Sequence, residues 1–515
     1  MERFRIMNEK IYDLLVIGGG INGVGVAVDA QGRGLQTALV EMRDLAWATS
    51  SASSKLIHGG LRYLEHYEFR LVKEALNERE TVYRKAPHIV KPMRFRLPHR
   101  PHLRPAWMIR VGLFLYDMLG KRDILPGSKF IRFNQPGAAL KQEITKGFEY
   151  SDCWVDDARL VVLNAMQFRS LGGDVFVQTK CVGVSQEKGL WHVQLRNEVT
   201  GEEHTMKAKG LVNAAGPWVK TLLTKEMHRS SPRGIRLIKG SHMVVPKLHD
   251  EDEAYILQNE DGRIVFVIPY LDEFSIVGTT DVEHKDAPET VAISNEEIDY
   301  LCDVVNAHFK KQISPADVVW TYAGVRPLCD DESDSAQAIT RDYTVELETE
   351  GELPLLSIFG GKLTTYRKLA ESALRTLKPF YPQMGAPWTA DSVLPGGDLP
   401  GTVVNYSQGL QNRYPFLTAR TAKRFATTYG SRCELFLKDA QSEADMGQKF
   451  GEGFFQKEVD YLLEYEFAMN ADDILWRRTK MGLFLNEDQQ AALAEYLAGK
   501  HPRAAEPYQP MQASA

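Results

Sequence analysis

Two hydrophobic periods divide this chain. Leu14-Leu15-Val16-Ile17 is a continuous apolar run that halts at Gly18-Gly19-Gly20, and a run with no polar face is what a strand covered on both sides of a parallel sheet requires. A helix can start after the glycines, and Leu35-Gln36-Thr37-Ala38-Leu39-Val40 predicts the second strand of a βαβ unit. Residues 70–86 predict a helix, 172–177 and 190–195 predict strands, and 210–216 is an apolar strand ending on Asn213-Ala214-Ala215-Gly216. From 235 to 282 short runs alternate apolar with polar positions, as in Arg263 to Pro269 and Phe274 to Gly278. That period belongs to an antiparallel sheet with two unlike faces. Leu355 to Phe359 enters a second glycine turn at Gly360-Gly361, ahead of a helix over about 366–377. Proline and glycine gather between 381 and 401, and helical spacing fills the remainder. The pattern predicts an α/β and α+β chain with a Rossmann-like dinucleotide-binding domain, an antiparallel-sheet domain and a C-terminal helical domain.

The first glycine turn carries separable chemistry. Gly18 permits the tight turn out of the strand, Gly20 lets the backbone approach a pyrophosphate, and Gly23 lets the helix pack on the strand. Glu41 closes the second strand, where a carboxylate can bind adenosine ribose hydroxyls. A dinucleotide is implied; nicotinamide and flavin both remain open on this motif alone.

Composition narrows the classes. At 515 residues and 43 % hydrophobic content the chain should bury two or three domain cores. A net charge of −6 gives no general attraction to nucleic acid, and none is expected as a partner. The cysteines at 153, 181, 302, 329 and 433 form no CxxC pair, so neither a disulfide framework nor a metal site is expected, and a reducing compartment fits. No secretory signal is read at the N-terminus. No window reaches the roughly 18 apolar residues a spanning helix needs.

One segment reverses the charge balance. Lys91 to Arg122 holds eight Lys or Arg against a single acid, Asp117, and contains Ala106-Trp107-Met108-Ile109-Arg110-Val111-Gly112-Leu113-Phe114-Leu115-Tyr116. Too short to span, this run predicts an amphipathic helix lying on an anionic lipid surface, with a buried helix beside a solvated basic loop as the alternative.

Ala48-Thr49-Ser50-Ser51-Ala52-Ser53-Ser54-Lys55-Leu56-Ile57-His58-Gly59-Gly60-Leu61-Arg62-Tyr63-Leu64-Glu65 is dense in hydroxyl, glycine and histidine. Together with Phe148 to Asp152, Lys239-Gly240-Ser241-His242, Gly278-Thr279-Thr280-Asp281, Gly324-Val325-Arg326-Pro327-Leu328 and Phe359 to Arg367, it resembles the FAD-dependent glycerol-3-phosphate dehydrogenases, the aerobic respiratory bacterial branch above all. The resemblance implies FAD, sn-glycerol 3-phosphate as substrate, ubiquinone as acceptor, a homodimer, and a peripheral place on the cytoplasmic face of the inner membrane. It places an FAD-binding domain at 1–90, 145–235 and 350–385, the membrane-contact segment at 91–144, a substrate-binding sheet at 236–349 and the helical domain at 388–515.

For the cofactor, the resemblance adds Thr49, Ser50, Ser51, Ser54, Lys55, Leu56, Val182, Ala215, Gly216, Gly361, Leu363 and Thr364 to Gly18, Gly20, Gly23 and Glu41. For the substrate it implies Arg62, Tyr63, Thr279, Arg326 and Lys362, since fixed cations suit a phosphate. His242, first, and His58 are the candidate bases because imidazole titrates near the working pH, with Arg326 or Lys362 stabilising the developing alkoxide. The rivals are a flavin oxidase that uses oxygen and a nicotinamide-binding regulatory protein.

Overall fold

The computed structural model describes residues 10–500 apart from 62, 63, 65, 66, 121–123, 136, 330–341, 351 and 352. Arg62 and Tyr63 therefore lie outside the described residues. The apolar runs form one sheet in which Ile11–Ile17 lies between Glu203–Asn213 and Thr37–Val40, parallel to both. Leu353–Gly360 extends it in parallel beyond Glu203–Asn213, and Asp174–Phe176 does so beyond Thr37–Val40. The helix Ile21–Gly32 packs on this sheet beside the helices Asp157–Ser170 and Tyr366–Leu377, so Leu14, Val16 and Leu39 are fully buried.

A second sheet runs Val282–His284, Ile235–Pro246, Phe274–Gly278, Ile264–Tyr270, Ala254–Gln258, Val90–Pro98, Lys146–Val155 and Leu56–Ile57. Trp320–Cys329 pairs with Ile235–Pro246, and Lys129–Arg132 with Lys146–Val155. This sheet is wider than the range 236–349 expected from the sequence. Residues 90–98 and 146–155 are drawn into it from segments assigned to membrane contact and to the cofactor domain, whereas Tyr343–Glu350 pairs with Leu353–Gly360 in the first sheet. The sheet accommodates the charges of 90–98. Arg94 and Arg96 are answered by Glu149 across the ladder, at 2.9 and 3.3 Å, and Arg96 also by Glu251 and Glu253. Part of the basic segment is thus neutralised inside the fold.

The expected surface helix forms at Ala106–Leu119. Only Leu113 and Tyr116 are buried, while Trp107, Phe114 and Met118 are 67 %, 55 % and 66 % exposed. No helix among the described residues is long and apolar enough to cross a membrane.

Past residue 400 the chain is helical, with Val403–Arg413, Ala419–Tyr429, Gln456–Tyr465 and Glu487–Lys500 around a short hairpin. It docks on the nucleotide-binding half through buried charge. Arg478 grips Asp44 with two 2.7 Å bonds, Arg477 Nε reaches the same carboxylate at 2.5 Å, and Lys480 Nζ bonds Asp156 at 2.7 Å. Arg159 and Glu466 form a further buried pair. Burial works to raise the Asp44 carboxyl, but Arg478 and Arg477 hold it below its usual range, so the ionised clasp is the stable form.

Candidate active site

Two glycine turns and the serine loop converge on one cavity of about 1330 Å³, which runs from Gly18 and Glu41 past Ser50 and His58 to Met108, Ile109 and Leu115 of helix Ala106–Leu119. At the first turn Gly18 has φ +118°, and a Cβ on Gly23 would stand 1.9 Å from the Gly18 carbonyl oxygen. A Cβ on Gly20 would meet only Ser50 Oγ within 4 Å, and one on Gly216 would meet nothing. The chain keeps space where a diphosphate would pass, beside the N-terminus of helix Ile21–Gly32. Ser50 Oγ accepts the Ile21 amide at 3.0 Å and caps that helix. Glu41 lines the same end, accepting the amides of Gly19 at 2.6 Å and Arg43 at 2.9 Å. Burial lifts its carboxyl above the usual range, against those two bonds. An extended dinucleotide fits these residues.

The serine loop is locked on the second sheet. Thr49 Oγ1 donates to the Val325 carbonyl at 2.7 Å, Tyr322 donates to the Ser53 carbonyl, and a Cβ on Gly324 would stand 2.8 Å from Ala52 Cβ. Asp157 accepts Ser53 from below, and Lys55 donates to Asp157 at 2.6 Å and to the Ser51 carbonyl. The Lys55 ammonium is therefore committed within the loop. Thr49, Ser50, Ser54, Leu56, Ala215, Gly216, Gly361, Leu363 and Thr364 line the cavity, as do Thr279, Arg326 and Lys362. Gly23, Ser51, Lys55, Val182 and His242 are not among its lining residues, although Cys181 beside Val182 is.

The two histidines part company. His242 pairs with Tyr322 and Gly278 across the ladders, stacks on the Tyr322 ring at 4.8 Å, and meets Ser54 Oγ through Nε2 at 2.9 Å. It reaches the cavity only through Ser54. Burial, with Arg326 and Lys55, holds it well below the usual imidazole value. His58 lines the cavity itself, and burial together with Lys362 and Arg326 pulls it down to about 4. Both rings are neutral at pH 7, and only His58 shares open space with the cations.

Arg326 is braced by Asp281 and by Thr279 Oγ1. Gly240 makes that posture possible, because a Cβ there would sit 2.9 Å from Arg326 Nη2. Lys362 enters from the second glycine turn, where Gly360 and Gly361 have φ of +73° and +103°. Thr364 Oγ1 accepts the His58 amide at 3.3 Å, so histidine and lysine stand on joined loops. A neutral imidazole beside two cations can accept a proton from a hydroxyl while an anionic group is held nearby. Asp281 and Asp157 are site residues that the sequence pattern does not single out. Asp281 closes the Gly278 to Asp281 run, and that membership is the signal the sequence offers; its place beside Arg326 appears only in the fold.

The family described as FAD dependent oxidoreductase matches residues 13–367, and the one described as C-terminal domain of alpha-glycerophosphate oxidase matches 388–499. The chain is 61 % identical over 486 residues to the aerobic glycerol-3-phosphate dehydrogenase of Escherichia coli K12, covering 94 % of this chain and 97 % of the relative. It is 59 % identical over 494 residues to the glycerol-3-phosphate dehydrogenase of Pseudomonas aeruginosa, covering 96 % of each. Among solved structures, the glycerol-3-phosphate dehydrogenase of Bacillus halodurans complexed with FAD superposes with a TM-score of 0.74 at 28 % identity, covering 99 % of this chain and 98 % of that one.

Proposed function

The chain belongs to the FAD-dependent oxidoreductases and, among them, to the glycerol-3-phosphate dehydrogenases, and on that premise we propose that it oxidises sn-glycerol 3-phosphate at C2 to dihydroxyacetone phosphate and delivers the electrons to ubiquinone. The observation that carries this reading is the grouping of Arg326 and Lys362 around neutral His58 in the cavity that begins at the dinucleotide turn.

Gly18, Gly20 and the start of helix Ile21–Gly32 would hold the pyrophosphate of FAD, Glu41 the ribose, and the 49–56 and 361–364 loops the flavin. Bound FAD supplies the hydride acceptor. Arg326 and Lys362 bind the phosphate and offset charge developing on the C2 oxygen, and the fork of Arg326, oriented by Asp281, fixes direction as well as charge. His58 takes the C2 hydroxyl proton on an imidazole nitrogen. It replaces His242 as first choice, because His242 stands behind Ser54 and serves to orient that hydroxyl. Anaerobic addition of glycerol 3-phosphate to the purified holoenzyme should bleach the flavin absorbance in stoichiometric proportion; an unchanged spectrum defeats the assignment.

A lipid-dissolved acceptor is supported by the far end of the cavity, where Met108, Ile109 and Leu115 of the exposed helix line the wall. An apolar opening beside an apolar surface suits an acceptor dissolved in lipid. The match of residues 388–499 to an oxidase domain favours oxygen as the second reading, and stoichiometric peroxide during turnover would establish it.

The same helix supports a peripheral place on a membrane. Trp107, Phe114 and Met118 would enter the interface while Arg100, Arg104 and Arg110 meet anionic head groups, each contributing about 1 kcal/mol near the surface. Reversing the three arginines to glutamate should weaken partitioning onto anionic liposomes, read by co-flotation, by about 100-fold or more. Undiminished flotation excludes this surface.

A further inference from the structure

Tyr116 is one of two buried residues on a helix otherwise turned outward. Its hydroxyl does two things at once. It accepts the Gly59 amide at 2.8 Å, and it donates to Asp152, whose two oxygens lie 2.9 and 2.8 Å away. Asp152 is held in turn by Arg79 at 2.9 Å, and Arg79 also donates to the Ser151 carbonyl. All three side chains are buried, and each sits on a different element: Tyr116 on Ala106–Leu119, Asp152 on Lys146–Val155, Arg79 on Phe69–Lys85. Gly59 follows His58 directly. A Cβ on it would stand 2.6 Å from Leu76 and 2.7 Å from the Tyr116 oxygen, so only glycine lets the turn come this close.

We infer that Tyr116 is a positioning residue for the reaction, acting through the Gly59 amide to hold His58 toward Arg326 and Lys362, with Asp152 and Arg79 fixing its hydroxyl. This rests on the oxidation of glycerol 3-phosphate proposed above. Burial pushes the Asp152 carboxyl up to about 6, against Arg79, Tyr116 and the Gly59 amide. Near neutral pH it is ionised and accepts the hydrogen bond that Tyr116 donates, which leaves the lone pairs of the hydroxyl aimed at Gly59. Thr364 pins the His58 amide from the other side. The histidine turn is therefore stretched between the lysine loop and the surface helix, and removal of one tether frees it without touching a group that contacts substrate.

The test is Tyr116→Phe in the holoenzyme, which keeps the ring and its packing against Tyr150. Losing both buried bonds of the hydroxyl, one of them charge-assisted, predicts that anaerobic flavin reduction at saturating glycerol 3-phosphate slows by about tenfold. The half-saturating concentration should stay within about twofold, because Arg326 and Lys362 still bind the phosphate. Hydrogen exchange of peptides covering Leu56 to Leu61 should quicken in the variant, a readout that needs no substrate. A wild-type reduction rate, or unaltered exchange at Gly59, overturns the inference. A rise in half-saturation with flavin loss and a lowered melting temperature overturns it too, since that is general loosening. If the parent enzyme is not reduced by glycerol 3-phosphate, the reaction assignment fails while the exchange experiment still decides the role of Tyr116.

Discussion

Gly23→Ala is expected to yield a colourless protein that rebinds FAD about 100-fold more weakly and shows no turnover at cofactor concentrations that saturate the parent. The Cβ would lie 1.9 Å from the Gly18 carbonyl oxygen and 3.3 Å from the Ala214 Cβ. Neither neighbour is the end of a flexible side chain, so the helix Ile21–Gly32 must lift from its strand. Overpacking of this kind costs about 1–3 kcal/mol in stability. The larger effect falls on the ligand, because the amides at the start of the helix leave the position from which they meet a diphosphate. Gly409→Ala is the matched control, since a Cβ there meets nothing within 4 Å, and its flavin content should equal that of the parent. Flavin-to-protein absorbance ratios and fluorescence titration of apoprotein measure both, and a yellow, fully active Gly23→Ala protein contradicts the account.

Arg326→Met and Lys362→Met should retain FAD and raise KM for glycerol 3-phosphate by about 100-fold each, the effect of removing a charge-assisted phosphate contact of up to about 3 kcal/mol. Arg326→Lys keeps the charge but loses the planar fork that Asp281 and Thr279 orient. It should recover part of the loss, on the order of tenfold. Stopped-flow reduction at varied substrate separates binding from chemistry. If KM is unmoved in both methionine variants, the phosphate is held elsewhere.

Both glycine turns, the parallel strands, the alternating sheet and the helical C-terminal region were legible in the sequence because each rests on local pattern: an apolar run meeting glycine, a period of two, a cluster of proline and glycine. The strand Val90–Pro98 was not. Met93, Phe95 and Leu97 alternate with Arg94 and Arg96 in strand fashion, but the carboxylate that neutralises both arginines, Glu149, lies on another strand. A charge count along the chain cannot register a partner more than fifty positions away. The cations Arg326 and Lys362 were reached through the motifs that carry the family resemblance, whereas the order of the two histidines turned on depth behind the wall. His58 and His242 are alike in residue type and setting, and only the interposed Ser54 separates their roles. The clasp on Asp44 is half visible in the chain, since Trp476-Arg477-Arg478-Thr479-Lys480 is a basic cluster whose acceptors, Asp44 and Asp156, lie more than 300 positions away.

That clasp sets an order of events during synthesis. Asp44 comes three residues after Glu41, but Arg477 and Arg478 follow it by 433 and 434 positions. While the chain is still being made, Asp44 has no guanidinium to meet it, and a lone carboxylate stays in water rather than enter an apolar interior. The loop that carries Asp44, beside Glu41, thus finds its buried partners only at the far end of the sequence. The buried state of Asp44 in the nucleotide-binding half is thereby tied to the docking of the C-terminal helices.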